Sequence, residues 1–168
     1  MELEDSGDVR ICKIKRIIRE CRYGIHDISR VELDAANQLP RFNMPLELGL
    51  FLGAQEYGAA EQGQKRALVL DTEPYRYQKF ISDIAGQDIR AHRGEPPRMI
   101  AAVRAMLSTA MDGKGRIPGP ATIQDRFAQF RAELPAISRR LHVRVSELQF
   151  VEYRTLVEEW LASNPLPR

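Results

Sequence analysis

Residues 41–53 read Arg-Phe-Asn-Met-Pro-Leu-Glu-Leu-Gly-Leu-Phe-Leu-Gly and put one carboxylate, Glu47, into an otherwise apolar helix start. Two roles are open to it. A carboxylate in a helix's first turn complements the macrodipole, worth about 0.3–1 kcal/mol. An acid among apolar neighbours at the mouth of an α/β sheet instead has a tunable pKa and is a candidate catalytic group. Asp27 and Asp71 each close a strand-like run, Tyr-Gly-Ile-His-Asp and Arg-Ala-Leu-Val-Leu-Asp. Ligands of open α/β sheets bind outside the carboxyl ends of the strands, so Asp27 and Glu47 are expected to face one crevice, with Ser29 in the polar loop beside it. Asp71 is either a second acid on that edge or a cap for the segment that follows. Tyr75, in Glu-Pro-Tyr-Arg-Tyr-Gln-Lys-Phe at 73–80, either stacks on a base or packs beside the crevice.

The elements that must carry these groups follow from periodicity. Val9, Cys12, Ile14, Ile17, Ile18 and Cys21 recur at mainly helical spacing, with Lys13, Lys15, Arg16 and Arg19 outward, which predicts an amphipathic first helix. A short strand then ends at Asp27; His26, one residue earlier, points to the opposite face, as a core or surface histidine. Asn43 is expected to cap the Glu47 helix, with Pro45 in its first turn, and its near-continuous apolar content predicts cover on both sides. The run to Asp71 reads as a central parallel strand buried on both faces. A short helix through Ile84 and an edge strand near residues 88–91 are expected next. Glu-Pro-Pro at 95–97 then opens a helix to about Met111, with Met99, Ile100, Val103, Met106 and Leu107 on its core face.

The fold class is therefore α/β, a small parallel sheet flanked by helices, with an all-helical C-terminal appendage. Residues 1–111 are expected to form the α/β domain, 112–120 (Asp-Gly-Lys-Gly-Arg-Ile-Pro-Gly-Pro) a linker and 121–168 the appendage. In the appendage, Thr122 with Asp125 resembles a capping box, Pro135 is expected to start a fresh helix, and Ser146-Glu147 the last one, anchored by Trp160. The 168 residues are 43% hydrophobic, enough for a core, and the net charge of +2 comes from interspersed signs, which disfavours nucleic acid as a partner. The acidic start and the lack of a long apolar run predict a cytoplasmic protein without a membrane span. Cys12 and Cys21 match neither a disulfide framework nor a zinc site and are expected to be reduced and largely buried, and the three histidines stand alone, so no metal is expected.

The combination Tyr23-Gly24-Ile25-His26-Asp27-Ile28-Ser29, then Phe42-Asn43-Met44-Pro45-Leu46-Glu47-Leu48-Gly49, then a buried strand and a Tyr-Arg-Tyr-Gln segment resembles bacterial TIR-like proteins related to nucleoside 2-deoxyribosyltransferases, over residues 5–110. The resemblance implies a flavodoxin-like or TIR-like domain. It further implies a nucleotide- or nucleoside-directed N-glycosidic hydrolase or transferase, NAD or a nucleoside being substrate rather than cofactor, with Glu47 catalytic and Asp27, with Asn43 nearby, on the sugar hydroxyls. A non-catalytic interaction or nucleotide-sensing module is the competing reading. Such folds begin with a strand and helix that this sequence lacks, so either a longer protein or a sheet reduced to about three strands is expected. Its unpaired edges would invite homo-oligomers.

Overall fold

The computed structural model describes residues 9–36, 38–112 and 115–166, in the order α1 (Arg10–Glu20), β1 (Tyr23–Asp27), α2 (Asn43–Tyr57), β2 (Arg66–Asp71), β3 (Arg90–Ala91), α3 (Pro96–Ala110), α4 (Pro120–Arg140) and α5 (Phe150–Ser163). The strands form one three-stranded sheet, β1-β2-β3, parallel throughout. Tyr23 lies opposite Arg66 and Asp27 opposite Leu70; Leu70 lies opposite Arg90.

That register sorts the side chains into two faces, because neighbours in register share a face and alternate residues do not. His26, Val69 and Asp71 share the face covered by α2, where Leu48, Met44 and Leu52 pack with Val69 and Ile28 to make the core of this unit. Tyr77, Phe80, Ile81 and Ile84 complete that core from two 3-10 turns, Arg76–Lys79 and Ser82–Ile84, which stand where one short helix was expected. Asp27, Leu70 and Arg90 belong to the opposite face, on the side of α3, which packs on β2.

Buried Lys65 ties α1 to the sheet. Its ammonium donates to the carbonyls of Ile18, in the last turn of α1, and Cys21, just beyond it, and lies 4.8 Å from the centroid of the Phe51 ring. A cation belongs at a helix C-terminus, where the backbone dipole is negative. Burial lowers the Lys65 pKa from its ordinary value, and the nearby Cys21 thiol partly offsets that.

Several expectations are corrected here. Asn43 is the first residue of α2 and not its cap; Phe42 holds that position and no side chain caps the helix. Only Leu48 and Phe51 of α2 are buried and Leu46 is exposed, because α2 lies on one face of a small sheet with little to cover its outer side. Neither α1 nor α3 has a buried residue, so Cys12 and Cys21 are exposed thiols and the apolar side of α3 is half-covered at best. A three-stranded sheet is too narrow to bury one side of every helix beside it.

Of the described residues, 9–117 fall in one compact unit and 118–166 in another. In the second, α4 runs unbroken through Pro135, whose missing N–H costs one helical bond while Phe130, Leu134 and Ser138 keep a single buried stripe across it. Its N-cap is Gly119 with no side-chain bond, so the Thr122–Asp125 pair caps nothing. The last helix starts at Phe150, after a 3-10 turn at Val145–Glu147, with the Glu152 carboxylate accepting from the Gln149 backbone N–H at 2.9 Å. Phe130, Leu134, Leu156 and Trp160 form the core between α4 and α5, and the Trp160 indole N–H donates to Glu133 at 2.8 Å.

Candidate functional site

The carboxyl edge of the sheet is organised by a residue that sequence reasoning passed over, Arg76. Asp71 is fully buried, and its Oδ1 accepts from Arg76 Nε at 2.8 Å, from a terminal Arg76 nitrogen at 2.5 Å and from the Thr72 N–H at 2.7 Å. The same guanidinium donates to Ser29 O at 2.8 Å and Ile28 O at 3.3 Å, and its other terminal nitrogen meets Glu32 at 2.9 Å. Arg76 thus pins the ends of β1 and β2 together across the crevice. The chain reaches it through Tyr75, whose left-handed backbone (φ 61) reverses direction over the edge. Asp71 therefore holds an arginine; it caps no helix.

Beside this brace, on the other face, stands a second pair. The Asp27 carboxylate, about one-third exposed, accepts the Ser29 backbone N–H at 3.0 Å, which fixes its direction and buries Ser29 beneath it. His92, buried just past β3, accepts the Gly94 N–H on Nδ1 at 3.0 Å. Its ring proton consequently sits on Nε2, 3.4 Å from Asp27 Oδ1. That is longer than a hydrogen bond, and Nε2 is a buried polar atom without a partner, as is Asp71 Oδ2. No spacing rule along the chain links His92 to Asp27; only the parallel register brings the two together.

Glu47 occupies a different place. It is the fifth residue of α2, past the first turn, and half-buried. With Ile14, Ile17, Ile18 and Cys21 of the α1 segment, Tyr23, Gly24, Ile25 and His26 of β1, and Met44 and Phe51 of α2, it lines a groove of about 280 Å³ along the outer edge of β1. Among those lining residues Glu47 is the one carboxylate. His26 packs edge-on against Phe51 at 5.2 Å between ring centroids, and its burial lowers its pKa from the ordinary value by disfavouring the charged ring. Gly24 is required here: a Cβ at that position would lie 2.6 Å from His26 Nε2 and 2.8 Å from the Phe51 ring.

The residues singled out from sequence are thus distributed over the unit. Glu47 is in the groove on the α2 side of β1, whereas Asp27 projects from the α3 side, although the groove includes Ile25, which shares Asp27's face. Ser29 and Asp71 are bound into the strand-end network with Arg76, and Asn43 is exposed at the start of α2. Tyr75 is 72% exposed and borders a separate cleft of about 620 Å³ with Pro74, Arg90, Arg98 and Ala102. Among the described residues no group of three or more His, Cys, Asp or Glu side chains is placed to hold a metal ion, and no helix is long and apolar enough to cross a membrane. Comparison with family models, curated proteins and solved structures finds no match.

Proposed function

We propose that the α/β unit is of flavodoxin-like or TIR-like type and acts on an N-glycosidic bond of a nucleotide or nucleoside through Glu47. The observation that supports this most is that, among the described residues, Glu47 is the single carboxylate lining a largely apolar groove. A concave apolar site with one or two polar groups is where a small ligand gains most from burial and is oriented by what polar contact remains. Cleavage of an N-glycoside develops oxocarbenium character on the ribose, and a carboxylate in a poorly solvated site stabilises that charge or captures it as a glycosyl-enzyme. The resemblance carried by residues 23–29 and 42–49 implies the same role for Glu47 and a part for Asp27 in holding the sugar hydroxyls.

The neighbours of Glu47 narrow the substrate. Burial lowers the pKa of His26, the one histidine among the described residues of the groove, which makes its ring a poor proton donor to a leaving base. A ring that is already cationic, as the nicotinamide of NAD is, leaves as a neutral molecule without protonation, whereas an ordinary nucleoside base requires a general acid. NAD-type substrates are therefore favoured over nucleosides. The test is chromatographic: the parent protein and Glu47→Gln are incubated with NAD and a panel of nucleosides. Nicotinamide released by the parent and not by the variant, with both proteins melting alike, is the expected result.

One observation favours a second reading. Arg76 fills the carboxyl edge, where α/β sheets ordinarily receive ligands, with bonds to Asp71, Ile28 and Ser29. A domain whose crevice is closed in this way serves as an interaction or nucleotide-sensing module, and for it neither protein releases nicotinamide or base.

A further inference from the structure

We propose that the unpaired backbone edge of β1, at the floor of the Glu47 groove, binds a flat ring bearing an amide-type edge, such as a carboxamide-substituted pyridine or a nucleobase. The ladder between β1 and β2 is spent on alternate residues: Arg66 N–H donates to Arg22 O at 2.9 Å and Ile28 N–H donates to Leu70 O at 2.9 Å. In a parallel pair the residues between, Tyr23, Ile25 and Asp27, turn both their N–H and their C=O away from the partner strand. Among the described residues none of these groups has a backbone partner, and β1 pairs with β2 alone. An unpaired N–H and C=O of one residue, side by side and parallel, present one donor and one acceptor to whatever lies in the groove. A carboxamide or an amino-heterocycle returns the complementary acceptor and donor in one plane.

The walls suit the faces of such a ring. Ile18 of α1 and Met44 of α2, both half-buried, give apolar contact, and no residue of α1 is buried. A volume of about 280 Å³ is at the bottom of the range for ligand pockets and suits one ring with its substituent, the remainder of any larger substrate lying outside the groove. The identity of that ring as a leaving group rests on the glycosidic reading above; its binding does not.

Two native thiols supply the test. Cys21 is exposed and lines the groove, while Cys12 is exposed on the same helix and lies outside it. Alkylation of the full chain by iodoacetamide is followed at each cysteine by mass spectrometry, with nicotinamide, adenine or N,N-dimethylnicotinamide added. The expected result is protection of Cys21 by nicotinamide or adenine, about tenfold when the ring is at roughly ten times its Kd, with Cys12 unchanged. The dimethyl amide, which keeps the ring and loses the donor, is expected to protect far less, and the backbone amide signals of Tyr23, Ile25 and Asp27 are expected to move only with the first two. Equal protection by all three rings, equal effects at both cysteines, or none up to the solubility limit overturns the proposal. So does protection of Cys21 that grows with protein concentration alone, which identifies a strand of a second copy as the occupant. Ring protection without NAD turnover leaves this site standing and removes the glycosidic reading; turnover without protection does the reverse.

Discussion

Replacing Arg76 by Ala is expected to be among the most destabilising single changes in the α/β unit. Asp71 has no exposed side-chain surface, and Arg76 itself is 15% exposed. Without the guanidinium, the carboxylate keeps the Thr72 N–H and loses both of its nitrogens from Arg76, and the carbonyls of Ile28 and Ser29 lose their side-chain donor. Breaking a buried ion pair by removing one partner costs about 3–5 kcal/mol, because the remaining charge is left uncompensated. The bond to Glu32 adds little, since that carboxylate is mostly exposed and such pairs are worth about 0–1 kcal/mol. Against a total stability of about 5–15 kcal/mol this is a large fraction. Urea unfolding followed by circular dichroism measures it, and a drop in melting temperature of roughly 6–20 °C is its thermal counterpart. The double variant Arg76→Met with Asp71→Leu separates the buried charge from lost packing: it is expected to recover much of the loss, since no carboxylate is then stranded. A loss under about 1 kcal/mol in Arg76→Ala, or a double variant as unstable as the single one, refutes the brace.

Two further predictions concern β1. Because burial holds the folded-state pKa of His26 below its unfolded value of 6.5, the neutral ring's contribution is fully present above that value. It is lost as the pH falls through the folded pKa, where the ring must charge. The parent is therefore expected to lose more stability than His26→Gln between about pH 7 and pH 5, read from urea midpoints of both; parallel curves count against the buried neutral ring. Gly24→Ala in a strand interior ordinarily gains about 0.5–1 kcal/mol in backbone entropy. Here the new methyl meets His26 Nε2 at 2.6 Å and Phe51, itself 1% exposed, at 2.8 Å, so overpacking is expected to reverse the sign, with a net loss of about 1–3 kcal/mol in a thermal melt. A neutral or stabilised variant shows that the two rings have room to move.

The three strands and the helices α1, α2 and α3 were legible in the sequence because they rest on local chemistry. The buried run Ala67 to Leu70 between Arg66 and Asp71 marks β2, the mainly helical spacing of Cys12, Ile14, Ile17 and Ile18 marks α1, and Pro96 with Pro97 marks the start of α3. The small parallel sheet also follows from periods of that kind. Boundaries were less legible. Pro135 and the Thr122–Asp125 pair carry local signals that the packing of Phe130, Leu134 and Ser138 overrides, because a buried stripe shared with α5 is worth more than one backbone bond or one cap.

What only the tertiary structure decided is which chemical groups meet. Asp27 and Glu47 both follow from the sequence as acids near the carboxyl edge, yet the strand period turns Asp27 to the α3 side while α2 places Glu47 on the other. The His92–Asp27 pair spans β1 and the end of β3, and the Arg76 brace spans β1 and β2; neither has a signature in spacing along the chain, since residues 44 to 65 apart are brought together by register alone. The lack of buried residues in α1 and α3 is likewise a property of sheet width. Amphipathic spacing states which side of a helix is apolar, and the number of strands beneath it determines whether that side is covered.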